Sequence, residues 1–185
     1  IIINACSVRQ SAIDRIHGQI KNLKNNKAKT VLTGCLLKQD LKHFSAMFDY
    51  ILSINSLPFW PQFLKKKPPF VYYPGSRSKT AHEKLKADYL KLKPKPETAF
   101  QGFVPISTGC NNFCSYCVVP FTRGAEICRP AKDILEDVDL LIKKGAKEIW
   151  LLGQNVNSYK DKTINFSRLL RKVNRIKGEF WIRFT

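Results

Sequence analysis

Phe103-Val104-Pro105-Ile106-Ser107-Thr108-Gly109-Cys110-Asn111-Asn112-Phe113-Cys114-Ser115-Tyr116-Cys117 is the stretch on which the reading of this 185-residue chain turns. Its first five residues predict a strand, and the strand runs straight into a loop carrying C-x-x-x-C-x-x-C. Downstream, Ile134, Leu135, Val138, Leu141 and Ile142 recur on one helical face, so Ala131 to Lys144 predicts a helix stopped by Gly145. Lys147 to Leu152 predicts a strand ending at Gly153, Phe166 to Ile176 a further helix, and Phe180 to Phe184 a further strand. Strands alternating with helices in this way predict the opening of a β/α (TIM-like) barrel, about three units long.

Upstream of residue 100 the same alternation appears with different punctuation. Ile1-Ile2-Ile3 predicts a buried strand, Ser7 a helix cap, and Val8, Ala12, Ile16, Ile20 and Leu23 an amphipathic helix over roughly 8–25. Thr30 to Thr33 predicts a strand broken by Gly34, Leu36 to Met47 a helix, and Tyr50 to Ile54 a third strand. The fold class is therefore α/β, with an N-terminal parallel sheet covered by helices over residues 1–64. Lys65-Lys66-Lys67-Pro68-Pro69 and Lys93-Pro94-Lys95-Pro96 bracket a turn-rich stretch of linker composition at 65–99, in which Phe70 to Tyr73 could add an edge strand. A second domain is expected over 100–185. The chain opens without Met on a strand already under way and stops on another, so it is expected to be a fragment of a longer protein.

No apolar run approaches the ~18–20 residues of a membrane helix, so no membrane association is expected. A formal net charge of +18 suits a polyanionic partner, since phosphate contacts release counterions. Solvated surface lysines account for the same number equally simply. Six cysteines in a long, Lys-rich, regularly patterned chain do not resemble a secreted disulfide scaffold. Their spacing suggests a metal site in a reducing compartment, and hence a cytoplasmic location.

Cys110, Cys114 and Cys117 supply three thiolates, whereas structural zinc normally takes four ligands. Thiolates at this density favour soft metals, with iron–sulfur clusters as the usual occupants. Three cysteines on a four-iron cube leave one iron open, able to chelate the amino and carboxylate groups of S-adenosylmethionine. A zinc knuckle completed by a distant residue and unrelated buried cysteines are the competing readings.

The loop resembles the signature of the radical S-adenosylmethionine superfamily, C-x-x-x-C-x-aromatic-C, with Tyr116 in the aromatic position. That resemblance implies that Tyr116 lies against the nucleoside and that Gly153-Gln154-Asn155, at a strand end, contributes to cofactor binding. Asn111-Asn112-Phe113 and Val118-Val119-Pro120 about the cysteines, Arg123-Gly124-Ala125-Glu126, Arg129-Pro130 and Leu151 to Tyr159 resemble the methylthiotransferase family, in the branch acting on isopentenyl-modified adenosine of tRNA. Sister branches act on threonylcarbamoyl-adenosine in tRNA or on a ribosomal-protein aspartate. Asn4-Ala5-Cys6-Ser7-Val8-Arg9 and Gly34-Cys35 resemble two of three cysteine contexts that hold a second cluster in this family, the first falling upstream of Ile1.

The resemblance thus implies two [4Fe-4S] clusters, S-adenosylmethionine, tRNA as partner, an electron-donor protein and a monomer. It implies that the cluster on Cys110, Cys114 and Cys117 is catalytic and that Cys6 and Cys35 also bind metal. Arg123, Arg129 and Lys132 are the candidates for phosphate contact, with a solvated or structural role as the alternative. Cys128 stands where the family has Ser and is expected to pack rather than ligate. A zinc-stabilised nucleic-acid-binding module is the non-catalytic alternative.

Overall fold

The computed structural model describes residues 1–6, 10–23, 28–73, 79–93 and 100–185. The expected cap Ser7 and helix-face residue Val8 lie outside the described residues, as do Pro94, Lys95 and Pro96 of the expected linker. The chain divides into two compact units, Ile1–Tyr89 with Asn112–Gly124, and Leu90–Asn111 with Ala125–Thr185.

The first unit is built on strands β1 (Ile2–Cys6), β2 (Val31–Cys35), β3 (Tyr50–Leu52) and β4 (Phe70–Tyr72), paired in that order and all parallel. Helix α1 (Gln10–Leu23) links β1 to β2, and α2 (Lys38–Phe44) links β2 to β3. Alternation along the strands sends neighbouring side chains to opposite faces. Leu32 and Ile51 pack with Ile16, Ile20 and Phe44 in one cluster, while Val31, Tyr50 and Leu52 pack with Trp60 in another. A 3-10 turn at Ile54–Phe59, then α3 (Trp60–Phe63), follow β3.

Within the stretch expected as linker, β4 completes the sheet and α4 (Lys79–Leu90) forms a helix. Leu85, Lys86 and Leu90 of α4 are buried, which gives that helix an inner face despite its Lys-rich composition. The third strand ends at Leu52 rather than Ile54, because the chain turns at Ser53: Ser56 N donates to Ser53 O (3.0 Å), and Trp60 Nε1 donates to the same oxygen (3.2 Å). The short helix α5 (Val119–Thr122) also belongs to this unit.

The second unit holds a three-stranded parallel sheet of β5 (Gln101–Pro105), β8 (Glu148–Leu152) and β11 (Trp181–Phe184), with β8 in the middle. The expected strand through Ser107 breaks after Pro105. Its continuation, β6 (Ser107–Thr108), pairs antiparallel with β7 (Ile127–Cys128) instead. Helix α6 (Ala131–Lys143) connects β7 to β8. A small hairpin, β9 (Lys160–Asp161) and β10 (Ile164–Asn165), leads into α7 (Phe166–Asn174) before β11. Asn165 caps α7 by accepting a hydrogen bond from Arg168 N at 3.0 Å. Val104, Ile149 and Leu151 of the sheet pack with Ile134 and Val138 of α6 and Leu169 and Val173 of α7. No helix among the described residues is long and apolar enough to cross a membrane.

Candidate functional site

Both cysteine sets lie at strand ends, but the backbone holds them differently. Cys6 and Cys35 are register partners at the ends of β1 and β2, one strand spacing of about 4.8 Å apart. Gly34 makes that approach feasible. Its φ is +115°, and a Cβ there would fall 2.0 Å from Ala5 O, so no other residue fits without moving β1. Cys35 is buried and Cys6 partly buried. Tyr73 secures the peptide about Cys35, its hydroxyl donating to Gly34 O and accepting from Leu36 N at 3.3 Å. Burial pushes the Tyr73 phenol up to about 12, so it stays protonated as that donor.

Cys110, Cys114 and Cys117 occupy the loop between β6 and α5. Cys110 is buried, Cys117 partly buried and Cys114 exposed. Residues 111–116 are all exposed, and 110–114 carry no regular secondary structure. One internal bond, Cys117 N to Cys114 O at 3.0 Å, tightens the turn. None of the six cysteines forms a disulfide among the described residues. Among the described residues no group of three or more His, Cys, Asp or Glu side chains is gathered tightly enough to enclose a metal ion. The three thiols of the loop offer the donor chemistry of a soft-metal site.

The entry to the loop is fixed from within the second unit. Gln154 Oε1 accepts a hydrogen bond from Gly109 N at 2.6 Å, immediately before Cys110. Gly109 sits at φ +82°, a left-handed conformation that favours glycine. Asn111 Oδ1 accepts from Glu126 N at 3.0 Å, and Glu126 in turn accepts from Ser158 Oγ at 2.5 Å. Gly153 lets β6 pack close, since a Cβ there would meet Ser107 Oγ at 2.7 Å. The hydroxyls of Ser107 and Thr108 are buried without a hydrogen-bond partner among the described residues. Orphaned buried hydroxyls are costly, at about 1–3 kcal/mol each, and such a pair of donors suits a polar ligand. Sequence reasoning passed over both, because Ser and Thr at a strand end carry no distinctive signal. Asn155 O accepts from Ser158 N (3.2 Å) and Oγ (2.7 Å), which shapes the turn after Gly153. Tyr116 is 84% exposed.

The three residues expected to contact phosphate separate in the structure. Arg129 is buried, with Nη2 on Asp137 Oδ2 (2.7 Å) and Nη1 on Pro105 O (3.0 Å). That pairing engages its guanidinium within the second unit. Arg123 turns inward, its Nε donating to Cys35 Sγ at 3.0 Å. Lys132 alone stays open, 83% exposed beside Glu136 at 3.8 Å. Cys128 packs against the second unit's core and accepts from Lys160 N at 3.4 Å. Burial pushes its thiol pKa up.

A family profile described as the Radical SAM superfamily matches residues 104–185, from β5 through β11. The whole chain aligns with proteins named tRNA-2-methylthio-N(6)-dimethylallyladenosine synthase. The match is 36% identical to that of Thermodesulfovibrio yellowstonii, over all of this chain and 43% of the relative. It is 37% identical to that of Buchnera aphidicola from Acyrthosiphon pisum, over all of this chain and 44% of the relative. Against that of Clostridium perfringens it is 37% identical, over all of this chain and 43% of the relative. The chain thus spans less than half the length of the curated relatives it matches. A Radical SAM match thus begins at the strand that feeds the three-cysteine loop, and similarity to these synthases runs along the full length of the chain.

Proposed function

We propose that this chain is part of an enzyme that attaches a methylthio group to C2 of N6-isopentenyladenosine in tRNA. The observation that carries the reading is the three-thiol loop of Cys110, Cys114 and Cys117, set between β6 and α5 within a Radical SAM match. The relatives' shared name favours isopentenyl-modified tRNA over the sister substrates.

In this reading Cys110, Cys114 and Cys117 hold the [4Fe-4S] cluster whose fourth iron takes S-adenosylmethionine. When bound, that pair supplies reductive cleavage of a sulfonium carbon–sulfur bond and hydrogen abstraction from unreactive carbon. The chain's residues bind and orient. Gln154 fixes Gly109, and with it the entry to the cysteine loop. Gly153 and Asn155 shape the turn beside it, and the unpartnered hydroxyls of Ser107 and Thr108 face polar atoms of the cosubstrate. Tyr116, exposed between Cys114 and Cys117, lies against the nucleoside. The register pairing of Cys6 with Cys35 supports a second [4Fe-4S] cluster on these two thiols and a third cysteine outside this chain.

We assign residues 1–64, whose sheet β4 completes, to the N-terminal methylthiotransferase domain and 100–185 to a partial β/α barrel. The consecutive parallel order of β5, β8 and β11 supports the barrel. Lys132 is the remaining phosphate contact of the three expected, and an electron-donor protein, a monomeric state and a cytoplasmic location complete the reading. The full-length protein, reconstituted anaerobically with iron and sulfide, is expected to yield 5′-deoxyadenosine and 2-methylthio-isopentenyladenosine in tRNA. Cys114→Ala should abolish both. Retained turnover in that variant, or a protein holding zinc without iron, would defeat the assignment.

A further inference from the structure

Arg123 was expected to reach outward to phosphate, yet its guanidinium is directed at a thiol. Helix α5 ends there: Arg123 N donates to Val119 O at 2.8 Å, and Gly124, at φ +73°, turns the chain away. The side chain is thereby directed inward, and its Nε–H donates to Cys35 Sγ at 3.0 Å.

A half-buried guanidinium remains charged in a protein, and a neutral thiol is a poor counterpart for it. A metal-bound cysteine sulfur is deprotonated and anionic. Tyr73 meanwhile holds the peptide on both sides of Cys35, so the sulfur stands at a fixed place for the donor. The arrangement is that of an outer-shell donor set on a ligand sulfur, which tunes reduction potential as well as ligand orientation.

We infer that Arg123 is a positioning residue for the Cys35 sulfur, and that its charged N–H···S hydrogen bond raises the reduction potential of the cluster bound at Cys6 and Cys35. This rests on the proposed second cluster. A cation beside the sulfur stabilises the more negative, reduced state, so removing it must move the midpoint downward. The same segment of chain that carries Cys114 and Cys117 thus also sets the electronic state of the N-terminal cluster.

The test uses the full-length protein with Cys110, Cys114 and Cys117 all replaced by Ala, so that one cluster is read alone. Iron and sulfide are counted after anaerobic reconstitution, and the midpoint and g-values are followed by redox titration with electron paramagnetic resonance. Arg123→Gln is expected to keep its iron, shift the midpoint to more negative potential and alter the g-values, with Arg123→Lys falling between it and the parent. An unmoved midpoint in both variants, with iron present, overturns the inference and leaves the second cluster standing. Should Arg123→Gln lose its iron, Arg123→Lys decides: a lowered midpoint supports the inference and the parent midpoint overturns it. A triple variant that binds no iron removes the second cluster itself, and the inference with it.

Discussion

Cys6 and Cys35 are placed by backbone, whereas Cys110, Cys114 and Cys117 are placed mostly by sequence spacing. The first pair faces across a parallel ladder locked by Gly34 and by Tyr73. The second set sits on a loop in which residues 110–114 have no regular structure and 111–116 are exposed. A ladder-bound pair is preorganised, and metal binding there draws little on chain entropy. The loop is held instead at its entry, by Gln154 on Gly109, and by the internal bond from Cys117 N to Cys114 O. The contrast suits the proposal that the loop cluster leaves an iron open to an exchanging cosubstrate.

The comparison breaks most visibly where the fold itself depends on a buried charge. Arg129→Ala takes from Asp137 its buried partner and leaves it the exposed Lys93, 3.8 Å away. It should destabilise the protein by about 3–5 kcal/mol in urea unfolding, and a loss under 1 kcal/mol would show that the pair is not closed. Gly34→Val forces a side chain onto Ala5 O at a positive φ. It is expected to cost about 3 kcal/mol and to remove iron from the N-terminal site while the loop cluster still assembles, as measured by unfolding and iron counting. Gln154→Ala should cost only about 1 kcal/mol of stability but weaken cosubstrate binding, because Gly109 loses its anchor; titration calorimetry separates the two. Cys114→Ala should leave stability within about 0.5 kcal/mol, as befits an exposed loop.

The smallest effect is a pH dependence in the second unit's sheet. The Gln101 amide and the Arg183 guanidinium hold the Glu148 carboxyl below its ordinary value of 4.5. A depressed folded pKa stabilises the protein above the unfolded value and loses that contribution as pH falls through the folded one. Acid titration of Glu148→Gln by circular dichroism should therefore show a flatter decline below about pH 4.5 than the parent.

Local patterning made much of this legible. Ile16 and Ile20 mark the inner face of α1, and Ile134 and Val138 that of α6, because a 3.6-residue period needs only neighbours in sequence. Helix α4 was missed because its inner face includes Lys86, so no apolar stripe announces it. The cysteine motif could be read because its ligands lie within eight residues. The partner of Arg123 lies 88 residues away, and no spacing rule reaches that far. Arg129 is similar, since its closure on Asp137 and Pro105 exists only after β5 and α6 pack. Charge was visible in the sequence, but its direction was not.

The most direct test of the account is electron–nuclear double resonance on the reduced full-length protein, given S-adenosylmethionine labelled with nitrogen-15 at its amino group. Binding at an open iron held by Cys110, Cys114 and Cys117 predicts a hyperfine coupling from that nitrogen, absent in Cys114→Ala. No such coupling, in protein that carries its full iron, would contradict it.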